Sequence, residues 1–475
     1  MLFKRDGESK MKKHLMIVFV LVVGLLIAPG ASLAQEQQKQ KPPEGGTPKA
    51  FTLPQKEIFT LKNGMRVTLV PYGTLPKVTV SAFVRAGNLN EGAEQIWLAN
   101  ITGSLMKEGT TTRSGEQLAQ EAARMGGQIG VGVGADQTTI SGDVLSEFGP
   151  DLVALLADVL QRPLLPTTEL ARMKNDRLRQ LTISRTQPGP IANERFRQLL
   201  YPNHPYGRVF PTEEMVNRYT IEDVQKFYRE NFGAARTYLY VAGRFDAAAM
   251  KKAITQAFEG WTGGKAAVED IPKPVAARSI HLIDRPGAAQ STIYLGLPVV
   301  YPGNKDFIAL QVTNALLGGS FASRITSNIR EAKGYTYSPN SSLSTRFRDS
   351  YWLQVADVTT AVTGPSLKEI FYEVERLQKE PPTEEELQGI KNYLAGIFVL
   401  QNSSRQGVIN QLAFVDLHGL DDKYLTTYVQ KVFAMTPRDI QRIAQTYLLG
   451  DKMTVVVVGD KSKVAEQVSV FGQVN

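Results

Sequence analysis

Along the 475-residue chain, apolar residues alternate with polar ones in short runs and then recur every three or four positions. Period two marks strands and period three to four marks helices. The pattern predicts strands at 57–61, 66–71 and 78–85, the first two joined by an Asn63-Gly64 hairpin turn. Helices are predicted at 96–107, 114–125, 149–161 and 167–184, with a strand pair, 127–135 and 137–145, between the second and third. A helix around 193–200, a helix at 220–230, a strand at 237–242 and a helix at 247–258 complete this half, and a similar series begins at Ser279. Strands interrupted by helices, with hairpins in place of regular crossovers, predict α+β architecture.

The chain also resembles itself. Thr220-Ile-Glu-Asp223-Val-Gln225-Lys226 recurs as Thr436-Pro-Arg-Asp439-Ile-Gln441-Arg442. The strand from Tyr238 to Ala242 with Gly243 recurs as Thr454 to Val458 with Gly459, and Glu169-Leu170 and Lys174-Asn175 recur as Glu386-Leu387 and Lys391-Asn392. Matches in the same order at a nearly constant offset imply two homologous domains, each a mainly antiparallel sheet packed with helices. The expected domains are 51–262 and 278–475, with a Gly-, Ala- and Pro-rich linker at 263–277.

Residues 1–34 are expected to lie outside the fold. Lys12-Lys13, an apolar run from Leu15 to Ala28, and Ser32-Leu33-Ala34 have the order of a signal peptide cleaved after Ala34. The run is short of the roughly 20 residues that span a bilayer, so no stable membrane span is expected in the mature form. Residues 35–50, rich in Gln, Lys, Pro and Gly, read as a flexible tether. The chain has no cysteine, which excludes disulfides and thiolate metal sites. An exported protein, periplasmic or secreted, is the expectation. The formal charge of +8 falls with the leader, and no basic cluster interleaved with aromatics points to nucleic acid.

The stretch Ile96–Thr110 gives the first chemical lead. Arg85-Ala86-Gly87, Glu91, Leu98-Ala99 and Gly109-Thr110 resemble the frame around the zinc helix of pitrilysin/insulinase-type metallopeptidases. In that family an inverted motif, His-x-x-Glu-His, supplies two ligands and the general base. Here Asn100, Gly103 and Ser104 occupy those positions. A neutral amide and a hydroxyl are poor zinc ligands. The resemblance places the family's third ligand, a glutamate, near Arg179–Gln180, where no carboxylate stands. Beyond the leader the histidines are His204, His281 and His418, with no metal spacing between them. No metal is therefore expected in this chain.

Two other segments carry candidate residues. Gly130, Gly132 and Gly134 formally fit a dinucleotide fingerprint, but a helix precedes them and a strand follows, the reverse of what that site requires. They read as a glycine-rich strand, either for close packing or, as the resemblance implies, an edge that pairs with a substrate peptide. In the second half, Gly318-Gly319 leads to Ser323-Arg324, then Ile329-Arg330-Glu331, Gly334, Tyr337 and Ser338, read as a tight turn, a helix ending at Gly334 and a strand carrying Tyr337. This too resembles the family. There, an arginine and a tyrosine seven residues apart hold the substrate backbone and stabilise the tetrahedral intermediate. Arg330 and Tyr337 match both residue types and the spacing. A surface arginine near a helix end and a tyrosine packed in a strand are the plainer reading.

Some two-subunit members of the family divide the work, one subunit carrying zinc and the other the arginine–tyrosine pair. The resemblance thus implies a non-catalytic subunit acting in trans on an unfolded peptide held with a zinc-bearing homologous partner. A peptide-binding or scaffold protein with no proteolytic partner is the alternative.

Overall fold

The computed structural model describes residues 51–475, apart from residue 268. The expected leader and tether lie outside the described residues. The strands are β1 (Glu57–Thr60), β2 (Arg66–Pro71), β3 (Lys77–Val84), β4 (Ile129–Val133), β5 (Thr138–Leu145) and β6 (Thr237–Gly243), followed by β7 (Ser279–Asp284), β8 (Gln290–Val299), β9 (Asn340–Arg346), β10 (Asp349–Thr359) and β11 (Thr454–Gly459). They form two sheets, ordered β1-β2-β6-β3-β5-β4 and β7-β11-β8-β10-β9. Apart from β1 the two orders are the same. The strand closing each half pairs in parallel with that half's β2 or β7, and every other pairing is antiparallel. The fold is therefore α+β, two like sheets packed with helices. No helix among the described residues is long and apolar enough to cross a membrane.

Five helices frame the candidate sites: α1 (Leu98–Leu105), α2 (Thr167–Thr186), α3 (Pro188–Leu200), α4 (Glu384–Gln401) and α5 (Arg405–His418). On one face of the first sheet, Val78, Val80, Ala82 and Val84 of β3 join Leu98, Ile101 and Leu105 of α1 in one buried cluster. The other face is covered from the second half. Val70, Phe83, Tyr240 and Ala242 are buried in the same cluster as Val408, Ile409 and Leu412 of α5. Polar contacts fix this docking: Arg405 meets Asp143 at 2.8 Å, and the Tyr240 hydroxyl donates to Asp416 at 2.5 Å. The exchange is reciprocal. Ala192, Phe196 and Leu200 of α3 pack against Tyr351, Leu353, Val456 and Val458 of the second sheet, and Tyr201 donates to Asp349. α3 and α5 hold equivalent places in the repeat, so each half covers the other's sheet.

Three local departures have physical causes. The helix expected from Ile96 begins at Leu98, because Trp97 adopts a left-handed conformation with φ 71° while its indole donates to the Val209 carbonyl. A short helix, Glu213–Arg218, capped by Thr212, lies where the hydrophobic pattern predicts none. Tyr337 is not on a strand: Gly334, at φ 64°, turns the chain, Thr336 makes one isolated bridge to Val358, and β9 starts only after Pro339. Proline cannot donate to a ladder, which delays the strand. The segment before that turn, Thr326–Ala332, is π-helical, a wide turn often found beside functional sites.

Candidate functional site

The positions that would carry the zinc motif do not form a metal site. The Asn100 side chain turns toward the preceding loop, accepting from the Asn88 amide at 2.9 Å. Gly103 lies under the edge strand, where an added Cβ would come within 2.6 Å of Val133 Cγ2. The Ser104 hydroxyl accepts from Arg177 of α2 at 2.9 Å, and the same guanidinium reaches the Asn100 carbonyl at 3.3 Å and the Gln180 side chain at 2.9 Å. Burial pushes the Arg177 pKa down, and Arg177 makes no ion pair within 4.0 Å among the described residues. A cation of the chain itself thus sits where α1 and α2 meet. The residues present do not fit zinc: the Ser104 hydroxyl and the Gln180 amide are neutral and poor ligands, the Asn100 amide faces elsewhere, and the fixed charge of Arg177 repels a dication. No group of three or more His, Asp or Glu able to hold a metal occurs among the described residues. The Asn100 and Ser104 side chains take separate partners, Asn88 and Arg177, and Gly103 offers no side chain at all. Arg177 itself escaped the sequence reading, which looked for ligands near 179–180; its signal is one helical turn before Gln180.

Glu91 replaces a conventional cap at the start of α1. Its carboxylate accepts from the Ala99 backbone N–H at 2.8 Å and from the Asn88 amide at 3.0 Å. Burial raises its pKa from 4.5 to about 7, against those hydrogen bonds and the charge of Arg208. A carboxyl with a raised folded pKa keeps its proton after the unfolded chain has lost it. Stability therefore falls as pH rises from about 4.5 to 7, by about 3 kcal/mol, and then levels off. Glu91→Gln retains an acceptor for both N–H groups and carries no charge. Thermal melts should show this variant losing the decline between pH 5 and 7 and exceeding the parent at pH 8; parallel pH profiles would contradict the assignment.

Arg330 and Tyr337 are brought together. The Arg330 guanidinium carbon lies 5.1 Å from the Tyr337 ring centroid and 4.5 Å from that of Phe321. Its Nε is 3.2 Å from Glu331, and its terminal nitrogens donate to no described residue. Tyr337 is 81 % exposed and Phe321 68 %. Large exposed aromatics around a charged fork mark a recognition surface more than a packed core. They border an open pocket of about 300 Å³, also lined by Gly319, Ser320, Asn340 and Tyr393. Ser320 is nine-tenths buried, and its hydroxyl has no partner among the described residues. Phe321, in a turn, and Tyr393, on α4, were not singled out from the sequence, because a lone exposed aromatic carries no distinctive pattern.

The glycine-rich segment forms β4, the outer strand of the first sheet. Ile129, Val131 and Val133 pack on the core, while Gly130 and Gly132 are exposed. A Cβ would meet nothing within 4 Å at Gly132 and only Ser141 Oγ, at 4.0 Å, at Gly130. Packing inside the chain does not require glycine there. Gly134 differs: it lies past the strand end, in the turn, donating to Gln137 and accepting from Asn88.

Comparison with known proteins places these features. Residues 67–210 match the family model described as insulinase (peptidase family M16), and residues 218–394, which hold Arg330 and Tyr337, match the peptidase M16 inactive domain. The chain is 25 % identical over 351 residues to an uncharacterized zinc protease, YmxG, of Bacillus subtilis, covering 73 % of this chain and 84 % of that protein. Among solved structures it resembles a peptidase M16 inactive domain from Pseudomonas fluorescens, with TM-score 0.78 and 23 % identity over 85 % of this chain and 98 % of that one. It also resembles a protease from Helicobacter pylori, with TM-score 0.80 and 22 % identity over 86 % and 100 %. The chain belongs to the insulinase (M16) peptidase family, as a member without the family's zinc ligands at Asn100 and Ser104.

Proposed function

We propose that this protein is the non-catalytic subunit of a two-subunit exported metallopeptidase. It holds an unfolded peptide and stabilises the transition state of hydrolysis at a zinc-bearing homologous partner. The observation that carries the reading is the asymmetry between halves: Arg177 bonds Ser104 where the zinc motif would stand, while Arg330 and Tyr337 converge on an open pocket. The partner supplies the metal. This chain supplies donors: the planar Arg330 fork and the Tyr337 phenol can both hydrogen-bond a peptide carbonyl as negative charge develops on its oxygen. Phe321 and Tyr337 flank the guanidinium and limit its motion, so little ordering is left for the moment of reaction. The free edge of β4 suits an extended peptide that adds as a further strand, with Gly130 and Gly132 letting it approach. The leader-like start of the chain supports export, and Zn belongs to the partner alone.

The test is reconstitution. Purified with an exported relative that carries His-x-x-Glu-His, this chain should form a stoichiometric heterodimer whose peptide-cleaving activity far exceeds that of either component. A relative equally active alone would sink the subunit reading and leave a peptide-binding scaffold of the same fold.

A further inference from the structure

α4 has a face that packing among the described residues does not explain. Gly389, Tyr393, Gly396 and Leu400 follow one another at spacings of four, three and four, which stacks them in one stripe. Tyr393 and Leu400 are exposed, the latter by 67 %, and Val399 beside them is exposed as well. A Cβ on either glycine would meet no atom within 4 Å. Alanine would be the more stable residue at both positions of an exposed helix, so packing within this chain does not account for them. From Leu387 to Ser404 the only charged side chain is Lys391, and it is buried. The equivalent helix of the first half provides an internal comparison. There the repeat aligns Arg172, Asp176, Arg179 and Ile183 with these four positions, and the three charged residues are laced by ion pairs to one another and to Glu169. One copy of the helix has an ordinary solvated face; the other has lost its charges and opened its backbone.

We propose that this face of α4 is a track for an uncharged, apolar stretch of substrate peptide, continuous with the Arg330 pocket. Tyr393 belongs to both surfaces. The unpartnered Ser320 hydroxyl at the pocket's wall is a second, independent sign of a ligand with hydrogen-bonding groups. From Gly389 to Leu400 the track runs about 16 Å, room for about five residues of extended chain. The glycines admit the peptide backbone close to the helix, and the flanking side chains receive aromatic or aliphatic groups. This inference rests on the reading that the pocket takes peptide.

The test uses the full chain and two dye-labelled peptides of equal length and charge, one carrying alternating Phe and Leu, the other Gly and Asn in their place. Anisotropy should show the apolar peptide binding about tenfold more tightly. Gly389→Lys with Gly396→Lys, both substitutions to a better helix former, should abolish that preference. Gly389→Ala with Gly396→Ala should raise the melting temperature yet weaken the apolar peptide several-fold, which a purely structural role would not do. Arg330→Ala should weaken both peptides alike. Equal affinities, or a preference that survives the lysines, would overturn the track and leave the pocket standing. An Arg330→Ala variant that binds both peptides as the parent does would overturn the pocket reading instead. Absence of binding by either peptide would overturn both.

Discussion

Asn100→His, Ser104→His and Gln180→Glu, introduced together, should leave the chain unable to bind zinc, and adding Arg177→Ala should restore binding in the micromolar range or tighter. The three changes rebuild a ligand set of the right chemistry on α1 and α2, since two histidines and a carboxylate with an open position are what zinc accepts. The obstacle is the guanidinium already bonded to Ser104 and Gln180. At an effective dielectric constant near 20, a unit charge about 4 Å from a dication costs about 8 kcal/mol. That equals the whole binding free energy of a micromolar site, about 8 kcal/mol. Removing Arg177 removes the repulsion. It also removes the cation that would otherwise pair with the new carboxylate at position 180, which leaves that carboxylate free to bind metal. Chelator-competition titrations decide the matter: tight zinc binding with Arg177 in place would show that it is no metal surrogate. The rebuilt site should still cleave nothing. The general base belongs at Gly103, where even a Cβ meets the Val133 side chain at 2.6 Å, so a glutamate there forces the Val133 side chain to move.

The second large effect concerns the chain's two halves. Expressed separately, with the break placed between Gly263 and Ala277, neither should fold. The first half would lose α5 from the sheet face bearing Val70, Phe83, Tyr240 and Ala242. The second would lose α3 from the face bearing Tyr351, Leu353, Val456 and Val458. Burying one large apolar side chain is worth about 1.5–3 kcal/mol. Uncovering a face with several of them, and the Arg405–Asp143 and Tyr201–Asp349 contacts, removes on the order of 10 kcal/mol from a total usually near 5–15 kcal/mol. Each half alone should be insoluble or melt without cooperativity; the two co-expressed should reassemble. A cooperative melt from either half alone would contradict the exchange.

How much of this was legible in the sequence differs from element to element. Comparing the chain with itself matched β6 to β11 and α2 to α4, and hydrophobic period located nearly every element of the first half. Self-comparison cannot say which half a helix packs on, so the reciprocal covering by α3 and α5 stayed hidden. Local backbone exceptions defeated the pattern at Trp97 and again between Gly334 and Pro339, because φ at a single residue leaves no trace in hydrophobic period. Asn100, Gly103 and Ser104 could be recognised as departures through the family resemblance, but Arg177, which bonds Ser104, could not, because it lies on another helix and is no ligand type. The Arg330–Tyr337 pair was visible only through the resemblance of its segment to the family's. The aromatic support from Phe321, and the glycine-lined face of α4, emerged only with exposure and open space in view.

The central claim is that this chain's chemical contribution comes from its second half. Single-turnover peptide cleavage by the reconstituted heterodimer tests it most directly, comparing the parent with Arg330→Ala and Tyr337→Phe at saturating subunit. The account predicts that the cleavage rate falls about 10²–10³-fold for Arg330→Ala, as for loss of one oxyanion donor, and less for Tyr337→Phe, with heterodimer formation intact. Unchanged cleavage by both variants would contradict it.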